Sequence, residues 1–414
     1  AGEQQQDIDV KLADDVQGEE QAAHAEGQAA TDGVRASHAD THTAHTPAEY
    51  YEGFQYVPQA DPNANIDVCV TGATGYIAAH IVYQLLHAGY RVRATVRDPE
   101  SKRTKDILQK VAGSYYDRLT VFAADLLTEG SFDQALAGCT HLIHTASPFM
   151  LTSKNPQTDL IDPALKGTRN VLASAKNSGT VRRIVLTSSV AAVVGEPHER
   201  GADHVFTEAD WNMRSTLQEG PYQLSKKLAE QAAWECAENQ SQFSLVTINP
   251  AFVLGPTITG RADGASAEFF LRYFNGDLAT GAIDLEMGVV DVRDVAKAHI
   301  LAMATESANG RYICTHKDMT MIQIADVLRE KYGAHPLPGM VVPKLLAYIL
   351  GPLVGGVSLH FISAFVGKKC RYDNSKVMQG LGLQWMPVQA TLEDMARSFM
   401  DAGLIHAVKK KRMC

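Results

Sequence analysis

Two hydroxyls, a phenol and an ammonium are the side chains of this sequence best suited to chemistry. Ser188 and Ser189 close the run RRIVLTSSV, and Tyr222 and Lys226 follow in GPYQLSKKLAEQAAW. Four residues apart on a helix, Tyr222 and Lys226 share one face. A lysine one turn away draws a phenol pKa toward neutrality and makes the tyrosine a usable proton donor. A serine at a neighbouring strand end can hydrogen-bond and polarise a carbonyl oxygen. The set suits carbonyl reduction, in which a hydride arrives at carbon and the developing alkoxide needs a proton. Tyr-x-x-x-Lys alone is common by chance, so its meaning depends on the elements around it.

A hydride donor needs a berth, and IDVCVTGATGYIAAH offers one. Gly72 and Gly75 follow an apolar strand and open a helix. Such a turn lets the backbone approach a pyrophosphate, and the helix N-terminus adds donors and positive partial charge. Gly72, Thr74 and Gly75, with the first helical residues Tyr76 and Ile77, are the candidates for this contact. Ala78 takes the third small position and still permits close helix–strand packing. The second strand ends in ATVRDP, which places Arg97 where a ribose ligand is expected. A guanidinium there pairs with a 2′-phosphate and points to NADPH, whereas Asp98 in that place would indicate NAD. After LTVFAA, Asp125 and Leu126 can meet the adenine edge, or Asp125 can cap the next helix.

The elements that must position these groups are legible as an alternation. Short apolar strands (IDVCVT, RVRATV, LTVFAA, THLIHTA, RRIVLTS, SLVTINP) alternate with helix-compatible stretches such as 101–112, 158–178 and 222–239. Continuously apolar strands between helices predict a parallel sheet covered on both faces, hence an α/β doubly wound, Rossmann-like fold. The predicted organisation is an N-terminal extension (1–65), a nucleotide-binding domain (66–250), a smaller, mostly helical C-terminal substrate lobe (251–405) and a basic tail (406–414). Segments 289–315 are expected to return to the main sheet.

With these motifs in hand, residues 66–402 resemble the extended short-chain dehydrogenase/reductase family, in its dihydroflavonol reductase, cinnamoyl-CoA reductase and aldehyde/ketone reductase branch. VTGATGYIAAH, VRATVRDP, LIHTASPF, DPALKGTRNVL, RRIVLTSSVAAV, YQLSKKLAEQAAWE, INPAFVLGP, VDVRDVAKAHILA and RYDNSK carry the resemblance in chain order. It implies that Tyr222 is the catalytic acid/base, Lys226 its partner and Ser189 the polarising hydroxyl, with Ser188 the fallback. It also implies that Thr145, Ala146 and Ser147 run beside the cofactor and that Pro250 to Val253 border the nicotinamide. Glu208, Asp210 and Trp211 follow the family layout. His141 and His144 read as strand-flanking residues without a catalytic role, and Met287, Phe269 and Phe270 as core.

Composition narrows the alternatives. The 414 residues carry a net charge of −9, but residues 1–65 hold about −11 of it and the remainder is near +2. Only the final KKKR is dense in basic residues, which argues against nucleic acid as a partner. Six scattered cysteines without a C-x-x-C pair indicate small core residues in a reducing compartment, cytoplasm or an organelle matrix after presequence removal. The extension is acidic and poor in large apolar residues, which predicts disorder or docking to a protein partner. Its histidines (His24, His38, His42, His45) read as solvated rather than metal-binding, and Tyr50, Tyr51, Phe54 and Tyr56 are the expected anchor if the extension packs at all. The uncharged stretch 345–367 is broken by Gly351-Pro352 and Gly355-Gly356, so two short helices are expected there in place of a membrane span, with peripheral membrane contact left open. The leading function is NADPH-dependent reduction of a small aldehyde or ketone. The alternative is an accessory subunit that keeps its nucleotide and docks through the extension. Epimerase or dehydratase chemistry ranks below both, because it usually accompanies an acid at the position of Arg97.

Overall fold

The computed structural model describes residues 45–57, 59, 66–147, 155–261, 264–354 and 358–406, the side chains of 352–354 excepted. The acidic stretch 1–44, with His24, His38 and His42, and the basic 407–414 lie outside the described residues. The described residues, from 45 to 406, belong to one compact unit.

The alternation seen in the sequence becomes β1 (Asp67–Thr71), α1 (Tyr76–His87), β2 (Arg91–Val96), α2 (Lys102–Ala112), β3 (Leu119–Ala123), β4 (His141–His144), α3 (Asp162–Asn177), β5 (Arg183–Thr187), α4 (Pro221–Glu238) and β6 (Ser244–Pro250). These six strands and β9 (Gly310–Cys314) form one sheet in the order β9-β6-β5-β4-β1-β2-β3. Every neighbouring pair is parallel. Successive side chains alternate between faces: Val68 and Val70 enter the core shared with α1, α2 and α5 (Val292–Ala304), while Cys69 enters the core under α3 and α4. Burial on both faces explains why the strands read as unbroken apolar runs.

The C-terminal lobe carries more strand than its sequence suggests. β7 (Phe252–Leu254) pairs in parallel with β8 (Glu286–Asp291), which pairs antiparallel with β10 (Lys317–Thr320). Residues 289–291 therefore belong to this small sheet, and the return to the main sheet consists of α5 and β9. The reason is visible in the cores: Val289 packs into the lobe core with Phe270, Ile324, Leu392 and Phe399, and Val290 into the main core. A strand wedged between two cores has no sequence signature distinguishing it from a main-sheet strand. Further helices are α6 (Met321–Tyr332), α7 (Lys344–Val354), α8 (Leu359–Phe365) and α9 (Val388–Asp401). The pair α7 and α8 gives the two short helices expected there, but α7 runs through Gly351-Pro352 to Val354, so that dipeptide does not end it. Among the described residues no helix is long and apolar enough to cross a membrane.

Residues 45–57, assigned from the sequence to a disordered or partner-docked extension, are part of the compact unit. Tyr50, Tyr51, Phe54 and Val57 are buried in the main core. The Tyr51 hydroxyl meets His80 Nδ1 at 2.7 Å, Tyr50 donates to Asp401 Oδ2 at 2.7 Å, and His45 Nδ1 lies 2.7 Å from the same carboxylate. Four apolar and aromatic side chains within eight residues supply the burial that the acidic stretch before them lacks. This clasp covers α1, α5 and α9.

Candidate active site

Most of the candidate residues lie at or just beyond the C-terminal ends of the main-sheet strands. The chain runs outward from β1 to β2 and β3 and then returns to β4 on the other side of β1, so β1 and β4 flank the switch point at which such sheets bind ligands. Thr71 locks the two strand ends together. Its hydroxyl pairs with His144 Nδ1 at 2.8 Å and accepts from the backbone N–H groups of Thr145 (3.1 Å) and Ala146 (3.0 Å). Burial pushes the His144 pKa down to about 3, so the ring is a neutral partner that orients Thr71. His141 also keeps a strand-end role, 2.8 Å from the Thr140 hydroxyl.

The glycine turn is tight against this junction. Gly72 has φ of +67°, and a Cβ there would lie 3.1 Å from Ala146 Cβ. Both the conformation and the approach require glycine. Gly75 is the N-cap of α1 and carries no capping side chain, which leaves the first helical N–H groups at Tyr76 and Ile77 without intrahelical partners. That is the donor set a pyrophosphate takes. The Tyr76 side chain is committed elsewhere, donating to Gly255 O at 2.7 Å. Thr74 sits partly exposed in the turn.

Arg97, directly after β2, is exposed and has no hydrogen bond or ion pair among the described residues. Asp98 is engaged: its Oδ1 accepts from the N–H groups of Glu100 (2.9 Å) and Ser101 (3.1 Å) in the turn leading to α2. Asp125 uses Oδ1 to accept from Leu127 N at 2.8 Å, so it shapes a local turn and does not cap a helix. Leu126 packs on α3, where an added Cβ on Gly167 would come within 3.1 Å of its Cβ. Pro250 and Val253 mark the crossing from main to small sheet, in register with Cys314 and Val290. The donor set of the turn and the unpaired guanidinium fit NADPH.

Tyr222 and Lys226 stand in the first turns of α4, which starts from Gly220 in a left-handed conformation followed by Pro221 at the first helical position. The Tyr222 hydroxyl is hydrogen-bonded to Ser189. Lys226 Nζ donates to Ser147 Oγ at 3.0 Å and lies 5.8 Å from the Tyr222 ring centroid. Burial pushes the tyrosine pKa up to about 12, opposed by the Ser189 hydrogen bond, the reverse of the drop toward neutrality expected from the neighbouring lysine, and pushes the lysine down to about 8. Ser188, the fallback hydroxyl, is turned away and donates to Glu230 Oε2 at 2.5 Å.

Glu230 is the main residue that the sequence reading missed. It is buried and held by Arg311 Nε at 2.7 Å. Its signal was present as the third step of a four-residue spacing, Tyr222, Lys226, Glu230. Around it, Glu208 Oε1 accepts from Ile313 N, and Trp211 stacks on the Arg311 guanidinium, so these motif residues are structural. Phe269, Phe270 and Met287 pack in or against the lobe core as expected.

Fold and site together define a dinucleotide-dependent oxidoreductase. The chain belongs to the NAD dependent epimerase/dehydratase family, which it matches over residues 68–314. It is 45% identical over 276 residues to cinnamoyl-CoA reductase CAD2 of Medicago truncatula, covering 66% of this chain and 82% of that one. It is 33% identical to tetraketide alpha-pyrone reductase 1 of Arabidopsis thaliana, over 82% of this chain and 97% of that one. Among solved structures, Gre2 from Candida albicans in complex with NADPH superposes with a TM-score of 0.66 at 30% identity, covering 81% of this chain and 99% of that one. The protein is an NADP-dependent oxidoreductase.

Proposed function

We propose that the protein reduces an aldehyde or ketone carbonyl, with Tyr222 as the proton donor. The observation carrying this reading is the convergence of Tyr222, Ser189 and Lys226 beside the Gly72–Ala146 cradle. NADPH, when bound, supplies the hydride. The N–H groups of Tyr76 and Ile77 would hold its pyrophosphate, and Arg97 its 2′-phosphate. Ser189 donates to the carbonyl oxygen and polarises it. Tyr222 gives its proton to that oxygen as charge builds there. The phenolate left behind is stabilised by the Lys226 ammonium, which Ser147 holds in place. Arg97 also ranks epimerase-type chemistry lower.

The test is turnover of NADPH and NADH by the purified chain against a panel of aldehydes and ketones. Reduction with preference for NADPH is expected. Tight NADPH binding with no reduction anywhere on the panel would overturn the reading. The reductive rate is also expected to fall as pH rises through about 8, because Lys226 loses its proton there and with it the charge that stabilises the phenolate.

A further inference from the structure

Tyr222, Lys226 and Glu230 succeed one another at four-residue spacing on α4, yet only Glu230 is fully buried, at 1% exposure. Its Oε1 accepts from Arg311 Nε (2.7 Å), the Thr247 hydroxyl (3.1 Å) and Trp234 Nε1 (3.2 Å). Its Oε2 accepts from the Ser188 hydroxyl (2.5 Å) and Asn249 Nδ2 (2.8 Å). Asn249 Nδ2 also reaches the Ser189 carbonyl at 3.2 Å. One carboxylate thus ties α4 to β6, to β9 and to the residues that follow β5. Ser189 continues from Ser188 in extended conformation, with φ −162° and ψ 156°. In extended chain, consecutive side chains point to opposite sides. Fixing the Ser188 hydroxyl on Glu230 therefore fixes the Ser189 hydroxyl on the other side, where Tyr222 stands.

We propose that Glu230 is a positioning residue, which anchors Ser188 and thereby selects Ser189 as the hydroxyl that meets Tyr222. The proposal rests on the proton-donor reading of Tyr222 for its kinetic consequence, though not for its geometric one. The same helix carries the proton donor and the anchor, so the distance between the Tyr222 hydroxyl and the end of β5 is set from two points one behind the other. Glutamine at 230 would present an N–H to groups that are themselves donors, leave the Arg311 charge uncompensated and free Ser188 to turn.

The experiment uses the full chain labelled with 13C at tyrosine Cζ, with the Tyr222 resonance assigned by its loss in Tyr222→Phe. Ser189→Ala gives the displacement produced when the Tyr222 hydrogen bond is lost. Glu230→Gln and Ser188→Ala are expected to displace the resonance in the same direction. In parallel, both are expected to lower kcat by about tenfold with NADPH affinity retained, a part of the roughly 10²–10⁴-fold that a positioned acid contributes. If Glu230→Gln does not fold, Ser188→Ala decides alone. A folded Ser188→Ala with the wild-type Tyr222 resonance would overturn the proposal. The NMR readout needs no substrate, so a chain that reduces nothing would sink the proposed function while the positioning role is still decided.

Discussion

The clasp and the crevice both withdraw charge from water, with opposite consequences. Beneath the N-terminal clasp, Arg293 at the start of α5 is 1% exposed and pairs with Asp291 and Asp394, each at 2.7 Å, and with the Tyr50 carbonyl. Burial alone would discharge these groups. The Arg293 guanidinium outweighs it and holds the Asp291 carboxyl below its ordinary range. At the crevice, among the described residues, Lys226 has only the Ser147 hydroxyl as its hydrogen-bond acceptor and no carboxylate partner. Desolvation then dominates and brings its pKa down to about 8. Complete pairing makes buried charge permanent and structural. Incomplete pairing leaves it poised near neutrality, where a proton can move. Asp294, three residues beyond Asp291, repeats the second case inside the core: burial, followed by the Asp291 charge, pushes it up to about 8.

The sharpest test of this contrast lies at the crevice. Tyr222→Phe removes only a hydroxyl, and is expected to lower turnover about 10²–10⁴-fold while leaving NADPH binding intact, measured by single-turnover kinetics and cofactor titration. Next comes the clasp. Arg293→Met leaves the Asp291 carboxylate buried without its cationic partner, while Asp394 keeps Arg397, and should cost about 3–5 kcal/mol in urea unfolding. A cost near zero would mean that the pairing is dispensable and the contrast wrong. Asp294 predicts a pH slope. The folded state keeps this proton up to about pH 8 while the unfolded chain releases it near its ordinary value, so stability declines as pH rises between the two. Asp294→Asn, neutral throughout, should flatten that slope in unfolding curves taken across the window. The smallest effect is expected for Tyr51→Phe, which deprives buried His80 of a 2.7 Å partner and should cost about 1–2 kcal/mol.

Much of this site was legible because its parts are local. The Gly72–Gly75 turn, the Tyr222–Lys226 spacing and the strand ending at Ser188-Ser189 each fall within one element or its edge. Local backbone preference and side-chain periodicity decide such features. The choice between Ser188 and Ser189 was open, since it depends on Glu230, 42 residues further along the chain. Asp98 and Arg97 were ambiguous for a similar reason: which of them stays available depends on the turn that uses the other. The clasp was half visible. Its aromatic cluster stood out, but its receptors (His80, Arg293, Asp394 and Asp401) are spread over three helices.

The amino-acid sequence alone determined the alternation of covered strands and helices, the parallel sheet and which groups are proposed to react. These follow from hydrophobic period and from residue chemistry, which a short window contains in full. Only the tertiary structure decided which serine faces Tyr222, which carboxylates keep their charge, and that residues 45–57 belong to the fold. Each of those depends on desolvation and hydrogen bonding between segments far apart in the chain, and such energies exist only once the segments have met.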